Sequence, residues 1–496
     1  MQFATAVLTD PSIPVSARQN ALNRIFSDPG VPTSSTTSSF WLQDPRVFDR
    51  SPSPLPEEVD VVIVGSGITG ASIARSLLEN GASPSILMLE ARNVCSGATG
   101  RNGGHILETA DEYAEFADMF GVEEAKKLMR FRLGHLSEML AVAKELGIAE
   151  ESQARKVQFL SVYFGEEPWK YALERLRRFK ADMPEEAAEW TSFEGQEIPK
   201  GFHLSRARGI VAGPAGALWP YKFVTGVLEH LLEKYPENFR IEEQTSVEEI
   251  ETTSTFYKVK TSRGTVNARH VIHCTNAHVS HLVPGLRGRI FPVRGQMSAQ
   301  TPGRSFPIQG NDHSWIFNYD RGFDYLTQLP GGQMMLGGGF AQGEHGGLEE
   351  LGIPTDSEMS MYIDIHLSGA LPAIFGRKDW GGVSGEPVQA MWTGNMAFSS
   401  DGFPWVGRLP ESATGRPEVG RGGEWVCAAF GGEGMVQAWF SGRALASMLL
   451  AGDKVLGQGV DTDLEWFPRQ LLSSKERFDT TGLPREIIDT SHRASL

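Results

Sequence analysis

The sequence has little cysteine, no long apolar run and a deficit of positive charge, and each shortage excludes a class of protein. Cys95, Cys274 and Cys427 lie far apart and in no metal-ligand spacing, so neither a disulfide framework nor a zinc site is expected. Such usage suits a reducing compartment, and a cytoplasmic location is the expectation. No stretch reaches the roughly 18 apolar residues that a membrane span needs. Residues 1–30 are broken by prolines and acids and have no apolar h-region, so no secretory leader is read there; Ala494-Ser495-Leu496 lacks the basic residue of a peroxisomal address. Lys and Arg total 46 against 61 Asp and Glu, a formal charge of −15, which argues against nucleic acid or an anionic membrane as partner. The expected partners are a small molecule and an electron acceptor, with the chain a monomer or weak homo-oligomer.

Glycine, by contrast, is abundant at 55 of 496 residues, which points to tight turns and to backbone lying close to a ligand. The length exceeds what one core supports, so two domains are expected. Residues 30–58 are rich in Pro, Ser and Thr and read as irregular surface chain; Phe40-Trp41-Leu42 within them serves either as a staple on the protein body or as an active-site lid. From Val59 the text turns to strand, glycine turn, helix and strand. Helical patterns fill roughly 110–190, another helix is YKFVTGVLEHLLEKY, and strands follow to about residue 277. After Pro292 short strands alternate with glycine turns, and a last helix spans about Met435 to Leu450. No internal repeat is found.

The strongest motif is Gly65-Ser66-Gly67-Ile68-Thr69-Gly70, placed between the strand beginning at Asp60 and a helix. The first glycine permits the turn, the second admits a pyrophosphate and the third lets helix pack on strand, while the helix N-terminus offers N–H groups and positive dipole. Glu90 ends the next strand at the distance where a carboxylate meets ribose hydroxyls. A dinucleotide is implied, NAD or FAD. The loop that follows (Ala91, Arg92, then Ser96, Gly97, Ala98, Thr99, Arg101, Asn102, Gly103, Gly104, His105) is poor in bulky side chains and suits a buried flavin better than a mobile nicotinamide.

The stretches VVIVGSGITGASIARSLLENG, LEARNVCSGATGRNGGHI, HVIHCTNAHVSHLVP, FPVRGQM, YLTQLPGGQMMLGGG, WTGNMAFSSDGFPWVG and CAAFGGEGM, in this order, resemble the FAD-dependent oxidoreductases of the D-amino-acid oxidase / sarcosine oxidase superfamily, with its glycine-oxidase-like and γ-glutamylputrescine-oxidoreductase-like members. The resemblance covers roughly residues 40–450. It implies an α/β fold in which a Rossmann-type FAD-binding domain (56–110, 205–290, 375–452) is interleaved with a mixed α+β substrate domain on a largely antiparallel sheet (111–204, 291–374), flanked by an N-terminal arm (1–55) and a C-terminal tail (453–496). It further implies adenine contacts at Val247, closure over the nucleotide by Thr275, Asn276 and Ala277, a cofactor contact at Gly407, and flavin contacts from Gly431, Gly432, Glu433, Gly434, Met435 and Val436. No metal is implied.

Several positions depart from the family pattern. The cysteine that carries a covalent flavin in some members is Ala390, the lysine credited with oxygen activation is Met335, and the carboxylate-binding lysine is Val436. Glu433 stands where a histidine is usual. An uncompensated carboxylate at Glu433 implies a substrate larger or less anionic than glycine, sarcosine or D-alanine, unless Arg101 or Arg294 supplies a clamp. His105 is either a packing histidine or one that faces, or is bonded to, the flavin. Trp315, Tyr325 and Trp392 are candidates for the substrate wall or for core. The expected reaction moves a hydride from a carbon next to an amine nitrogen to the flavin, which O2 or another acceptor reoxidises. Two alternatives stand beside it: a flavin-dependent dehydrogenase or monooxygenase acting on a non-amine metabolite, and a non-catalytic flavin-binding protein. The sequence offers neither a second Gly-x-Gly-x-x-Gly nor a redox cysteine pair to favour the first.

Overall fold

The computed structural model describes residues 2–48, 54–80, 84–453, 456 and 463–486; Ala494-Ser495-Leu496 and most of 454–462 lie outside them. In chain order the strands are β1 (Glu58–Val64), β2 (Ile86–Leu89), β3 (His105–Ile106), β4 (Arg155–Tyr163), β5 (Thr191–Glu194), β6 (Gly209–Ala217), β7 (Phe239–Glu242), β8 (Val247–Thr252) and β9 (Tyr257–Thr261). They continue with β10 (Gly264–His273), β11 (Ile290–Gln300), β12 (His313–Asn318), β13 (Phe323–Gln328), β14 (Met334–Gly337), β15 (Val388–Ser399), β16 (Trp405–Arg408) and β17 (Gly423–Ala428).

They form two sheets. The first has the order β16-β17-β10-β1-β2-β7, with β9 pairing β10 and β8. Strands β17, β10, β1, β2 and β7 run parallel. A parallel strand is covered on both faces, which is why β1 and β2 read as unbroken apolar runs. The helix Ile68–Glu79 crosses from β1 to β2, and the helix Ala438–Gly452 packs beside it, with Gly442 against Ser72 and Thr69. The second sheet has nine strands in the order β15-β11-β14-β13-β12-β4-β6-β3, with β5 on β6, antiparallel except where β12 meets β4.

The sheets divide the chain differently from the expected boundaries. Strands β3, β6 and β15, all placed by sequence in the nucleotide-binding segments, pair within the second sheet. Strand β4 interrupts the region read as wholly helical. A helix, Met361–Trp380, stands where only short strands were expected; Pro372 and a left-handed Gly376 break its pattern, so it shows no coherent apolar face in the sequence. The N-terminal arm is partly helical: Leu22 and Ile25, from the helix Val15–Phe26, are buried with Phe291, Val293 and Leu348. Cys95, Cys274 and Cys427 are free thiols. Among the described residues no helix is long and apolar enough to cross a membrane.

Candidate functional site

Because β1, β2, β10 and β17 run parallel, their carboxyl ends open on one rim, where ligands of such sheets sit. Gly65, Glu90, Thr275 and Ala429 follow these ends. Gly65 has φ +109°, and a Cβ there would lie 2.8 Å from the Cys274 carbonyl oxygen. A Cβ on Gly70 would lie 2.2 Å from the Gly65 carbonyl oxygen, and one on Gly67 would lie 2.9 Å from Thr99 Oγ1. These are the steric demands expected of the glycine turn. Gly67 caps the helix Ile68–Glu79 and has no side chain of its own to accept from the first turn, where Thr99 Oγ1 takes the Ile68 N–H.

Glu90 hangs over that turn. Its Oε2 accepts from Ser66 N–H (3.2 Å) and Ser66 Oγ (2.6 Å), and its Oε1 accepts from Arg92 N–H (3.0 Å). Thr245 N–H donates to the Glu90 carbonyl (2.8 Å), which draws the segment leading to Val247 alongside. Asn276 Oδ1 accepts from Ala429 N–H (3.0 Å) and so links the ends of β10 and β17; Ala277 beside it is buried.

The loop after Glu90 is held with unusual thoroughness. Thr99 Oγ1 accepts from Ile68 N–H (3.0 Å), Ser66 Oγ accepts from Cys95 N–H (2.9 Å), and the Asn102 amide bonds the Ala98 and Thr99 carbonyls. The four successive carbonyls of residues 100–103 each accept from a distant side chain: Ser39 Oγ on Gly100, Trp392 Nε1 on Arg101, Trp41 Nε1 on Asn102 and Thr327 Oγ1 on Gly103. The donors come from the N-terminal arm (Ser39, Trp41) and from the second sheet (Thr327, Trp392), so the loop is tied to both, and Gly104 N–H closes on Asn102 Oδ1 within it (2.7 Å). Of the two readings of Phe40-Trp41-Leu42, the staple holds: Trp41 is fully buried on this loop. Its partner, Asn102, was beyond sequence reasoning because the bond joins a surface segment to a loop 61 residues later.

The second sheet meets the loop with one row of residues. Register places Trp392, Met297, Gly337 and Tyr325 directly opposite one another across β15, β11, β14 and β13. Gly337 lets the ring close in, since a Cβ there would lie 2.4 Å from Tyr325 Cζ, and Gly103 rests on the same ring, 2.8 Å from Tyr325 Cε2 by the same measure. Tyr325 and Trp392 therefore share the face that meets the loop, Trp392 fully buried there and Tyr325 half-buried. Trp315 does not: its row is Leu326, Leu336 and Ser298, on the opposite face, and it packs with Phe306 and Phe375 beneath the helix Met361–Trp380. Alternation along a strand decides this, and sequence alone did not supply the register.

His105 bonds Ser314 through Nε2 (2.7 Å), and burial, with Arg155 nearby, pushes its pKa down to about 3. The Ser314 bond supports the packing reading of His105. Arg101 is a buried clamp: it donates to the Ser96 and Thr393 carbonyls and pairs with Asp356 at 3.2 Å. Arg294 is paired with Glu350 at 2.6 Å. Neither is free to grip a substrate. Gly407 lies on edge strand β16, facing Met448 and Ser473 rather than the glycine turn, so its expected cofactor contact is withdrawn.

The rim also presents buried polar atoms with no hydrogen-bond partner among the described residues: Ser96 Oγ, Thr275 Oγ1 and Arg92 Nε. Buried groups of this kind call for hydrogen-bond partners, and a dinucleotide supplies them. A family model described as "DAO: FAD dependent oxidoreductase" matches residues 60–448. The chain belongs to this family of FAD-dependent oxidoreductases. Glu90, Ser96, Thr275 and the turn 65–70 are accordingly the residues suited to hold FAD.

Solved structures of the same fold include glycine oxidase from Geobacillus kaustophilus (TM-score 0.60, 16% identity, 85% of this chain and 99% of that one). L-Proline dehydrogenase from P. horikoshii is similar at TM-score 0.61 and 20% identity, covering 86% and 99%. Iminodiacetate oxidase from Chelativorans sp. is similar at TM-score 0.59 and 17% identity, covering 83% and 99%. No curated protein matches the chain.

Within this DAO-family enzyme, the last rim segment, 429–436, carries a feature that the sequence did not reveal. Glu433 is paired with Arg132 of the helix Val122–Glu145 at 2.9 Å, and Arg132 also bonds Glu108. The expectation of an uncompensated carboxylate is thus corrected. Burial works against the Arg132 charge, but Glu108, Glu433 and Glu112 outweigh it and keep the guanidinium protonated. Burial, then the charge of Glu433, raises the Glu112 carboxyl well above the usual range. Met435 and Val436 are buried in the main core.

Proposed function

We propose that this enzyme oxidises a small amine or amino-acid derivative at the carbon next to nitrogen, giving an imine, and that O2 or another acceptor then takes the electrons. The observation that carries this reading is the character of the wall at the cofactor loop. The row Trp392, Met297, Gly337 and Tyr325 is aromatic and thioether packing, in which the half-buried Tyr325 ring lies against Gly103 of the loop and the other three are buried. Burial, with Asp324 adding to it, raises the Tyr325 phenol and keeps it protonated, and His105 is neutral and engaged by Ser314. Neither group is poised to exchange protons near pH 7. FAD, when bound, supplies the hydride acceptor, so the chain's task is orientation and exclusion of water.

Arg101, Arg132 and Arg294 all face carboxylates of the chain itself. A free substrate carboxylate would have to displace one of them, which favours substrates whose carboxylate is absent, esterified or amidated. The relatives of the same fold are a glycine oxidase, an L-proline dehydrogenase and an iminodiacetate oxidase, whose named compounds share an amine nitrogen, and that shared chemistry supports the extension to this chain. Anaerobic bleaching of the flavin band by matched pairs of amino acids and their amide, ester or decarboxylated forms tests the reading. The neutral or cationic member of each pair should bleach faster. Faster bleaching by free glycine, sarcosine or D-alanine would overturn the substrate preference, and bleaching by no amine would overturn the C–N assignment.

A further inference from the structure

The middle of the segment 429–436 is lightly packed. Ala429, Phe430, Met435 and Val436 are buried, but residues 431–434 between them are partly exposed, Ala429, Gly431 and Gly432 have φ of +69°, +61° and +88°, and nothing lies within 4 Å of where a Cβ on Gly431 would sit. Its outside anchors include Gly431 N–H on the Ala397 carbonyl (2.9 Å), Ala429 N–H on Asn276, and the Glu433 carboxylate, whose Oε2 accepts from both Arg132 Nη2 and Gln437 Nε2 (3.1 Å). The helix that carries Arg132 grips the next turn as well. His135 Nε2 accepts from Phe440 N–H (3.2 Å), and a Cβ on Gly134 would lie 2.9 Å from the Phe440 ring.

The ion pair is asymmetric. Arg132 and Glu108 are 5% and 2% exposed, whereas Glu433 is 41% exposed, at the carboxyl end of a parallel strand where the rim opens. Glu108 alone would balance the guanidinium. Glu433 is a second carboxylate on this guanidinium, with burial raising both the Glu108 and Glu112 carboxyls, and the turn that follows it packs against β3 at the end of the cofactor loop. A fixed negative charge in a partly desolvated cleft opposes the gain of electrons by a nearby carrier, and a paired cation reduces that opposition.

We propose that Arg132 is a positioning residue for the flavin: acting through Glu433 it holds the 429–436 segment at the cleft and screens the carboxylate there, so that this pair sets how readily the bound flavin is reduced.

The two partners then have effects of opposite sign, which a merely structural role would not produce. The test compares the holoenzyme with R132M, R132K, E433Q and R132M/E433Q by redox titration of the flavin at pH 8 and by FAD titration of each apoprotein. R132M leaves Glu433 unscreened, so its midpoint potential should fall, and FAD affinity should drop ~10-fold or more. E433Q keeps an amide that can bond Gln437 but removes the charge, so its potential should rise. R132K should lie near the parent, and the double variant between the two singles. Shifts of the same sign in R132M and E433Q, or no shift in either, would overturn the proposal. Should R132M fail to fold, E433Q decides, because a potential at or below that of the parent contradicts the screening role.

Discussion

The two halves of the site are built by different means. The nucleotide rim is backbone chemistry: Gly65, Gly67 and Gly70 are required by close approaches to the Cys274 carbonyl, Thr99 and the Gly65 carbonyl, and Glu90 acts within reach of Ser66 and Arg92. The face of the second sheet that meets the cofactor loop is side-chain chemistry, assembled by register from four strands between residues 297 and 392. A rim of this kind has few acceptable sequences and announces itself. A wall can be made of many apolar side chains, and which of them face the ligand depends on pairing partners far along the chain.

The sharpest break of this contrast is Gly70→Val. A branched side chain placed 2.2 Å from the Gly65 carbonyl oxygen cannot be relieved by a rotamer, so the turn must open. The variant should purify without flavin, read as the ratio of flavin absorbance to protein; a full complement of FAD would show that the rim is not where the cofactor binds. On the other side of the wall, Trp315→Ala should cost ~3–5 kcal/mol of stability through loss of a buried indole. Its flavin spectrum and FAD affinity should be unchanged, because Trp315 lies behind the sheet. A spectral shift would return Trp315 to the site.

The same contrast explains what the sequence could and could not tell. The turn 65–70, Glu90 and the loop to His105 were legible because each demand is local: a positive φ, a carboxylate at the end of the next strand, a run of small residues. Strand β4 was not, because RKVQFLSVY sits between long helical patterns and is buried along its last five residues, which removes the alternation that marks a half-exposed strand. The helix Met361–Trp380 was hidden by its own Pro372 and Gly376. Trp315 and Tyr325, ten residues apart, have the same local signature and opposite faces. Arg132 gave no signal, since one of two arginines in the helical text RFRLGH reads as a solvated charge and its partner Glu433 lies some 300 residues on.

Smaller perturbations sharpen the picture. Glu90→Ala removes the acceptor for Ser66 and Arg92 as well as the ribose contact; with charge-assisted bonds worth ~1.5–3 kcal/mol each before water compensates, FAD affinity should fall but not vanish. Retention of parental affinity in an FAD titration would remove Glu90 from the nucleotide site. At the wall, the His105 pKa falls from 6.5 to about 3 on folding, so the fold favours the neutral ring. That contribution is complete above pH 6.5 and is lost as pH drops from 6.5 toward 3. At pH 5 the loss amounts to ~2 kcal/mol. His105→Gln, which can keep a bond to Ser314, should therefore lose less stability between pH 7 and pH 5 than the parent does in denaturant melts. Equal losses would mean that His105 is not held neutral.

The smallest expected effect addresses how far the two halves depend on each other. Trp392 is fully buried in the wall and donates its Nε1–H to the Arg101 carbonyl at 2.9 Å, one of four such ties on consecutive carbonyls of the cofactor loop. Trp392→Phe keeps most of the ring's bulk and removes that donor alone. One neutral hydrogen bond is worth ~1 kcal/mol, and the ties from Ser39, Trp41 and Thr327 remain, so FAD affinity should fall only ~5-fold. If the loop is held from the wall, the holoenzyme should lose more thermal stability than the apoprotein, because the tie matters most when the loop bears its ligand. Equal losses in the two forms, with FAD affinity unchanged, would mean that the rim organises itself and that the wall answers to the substrate alone.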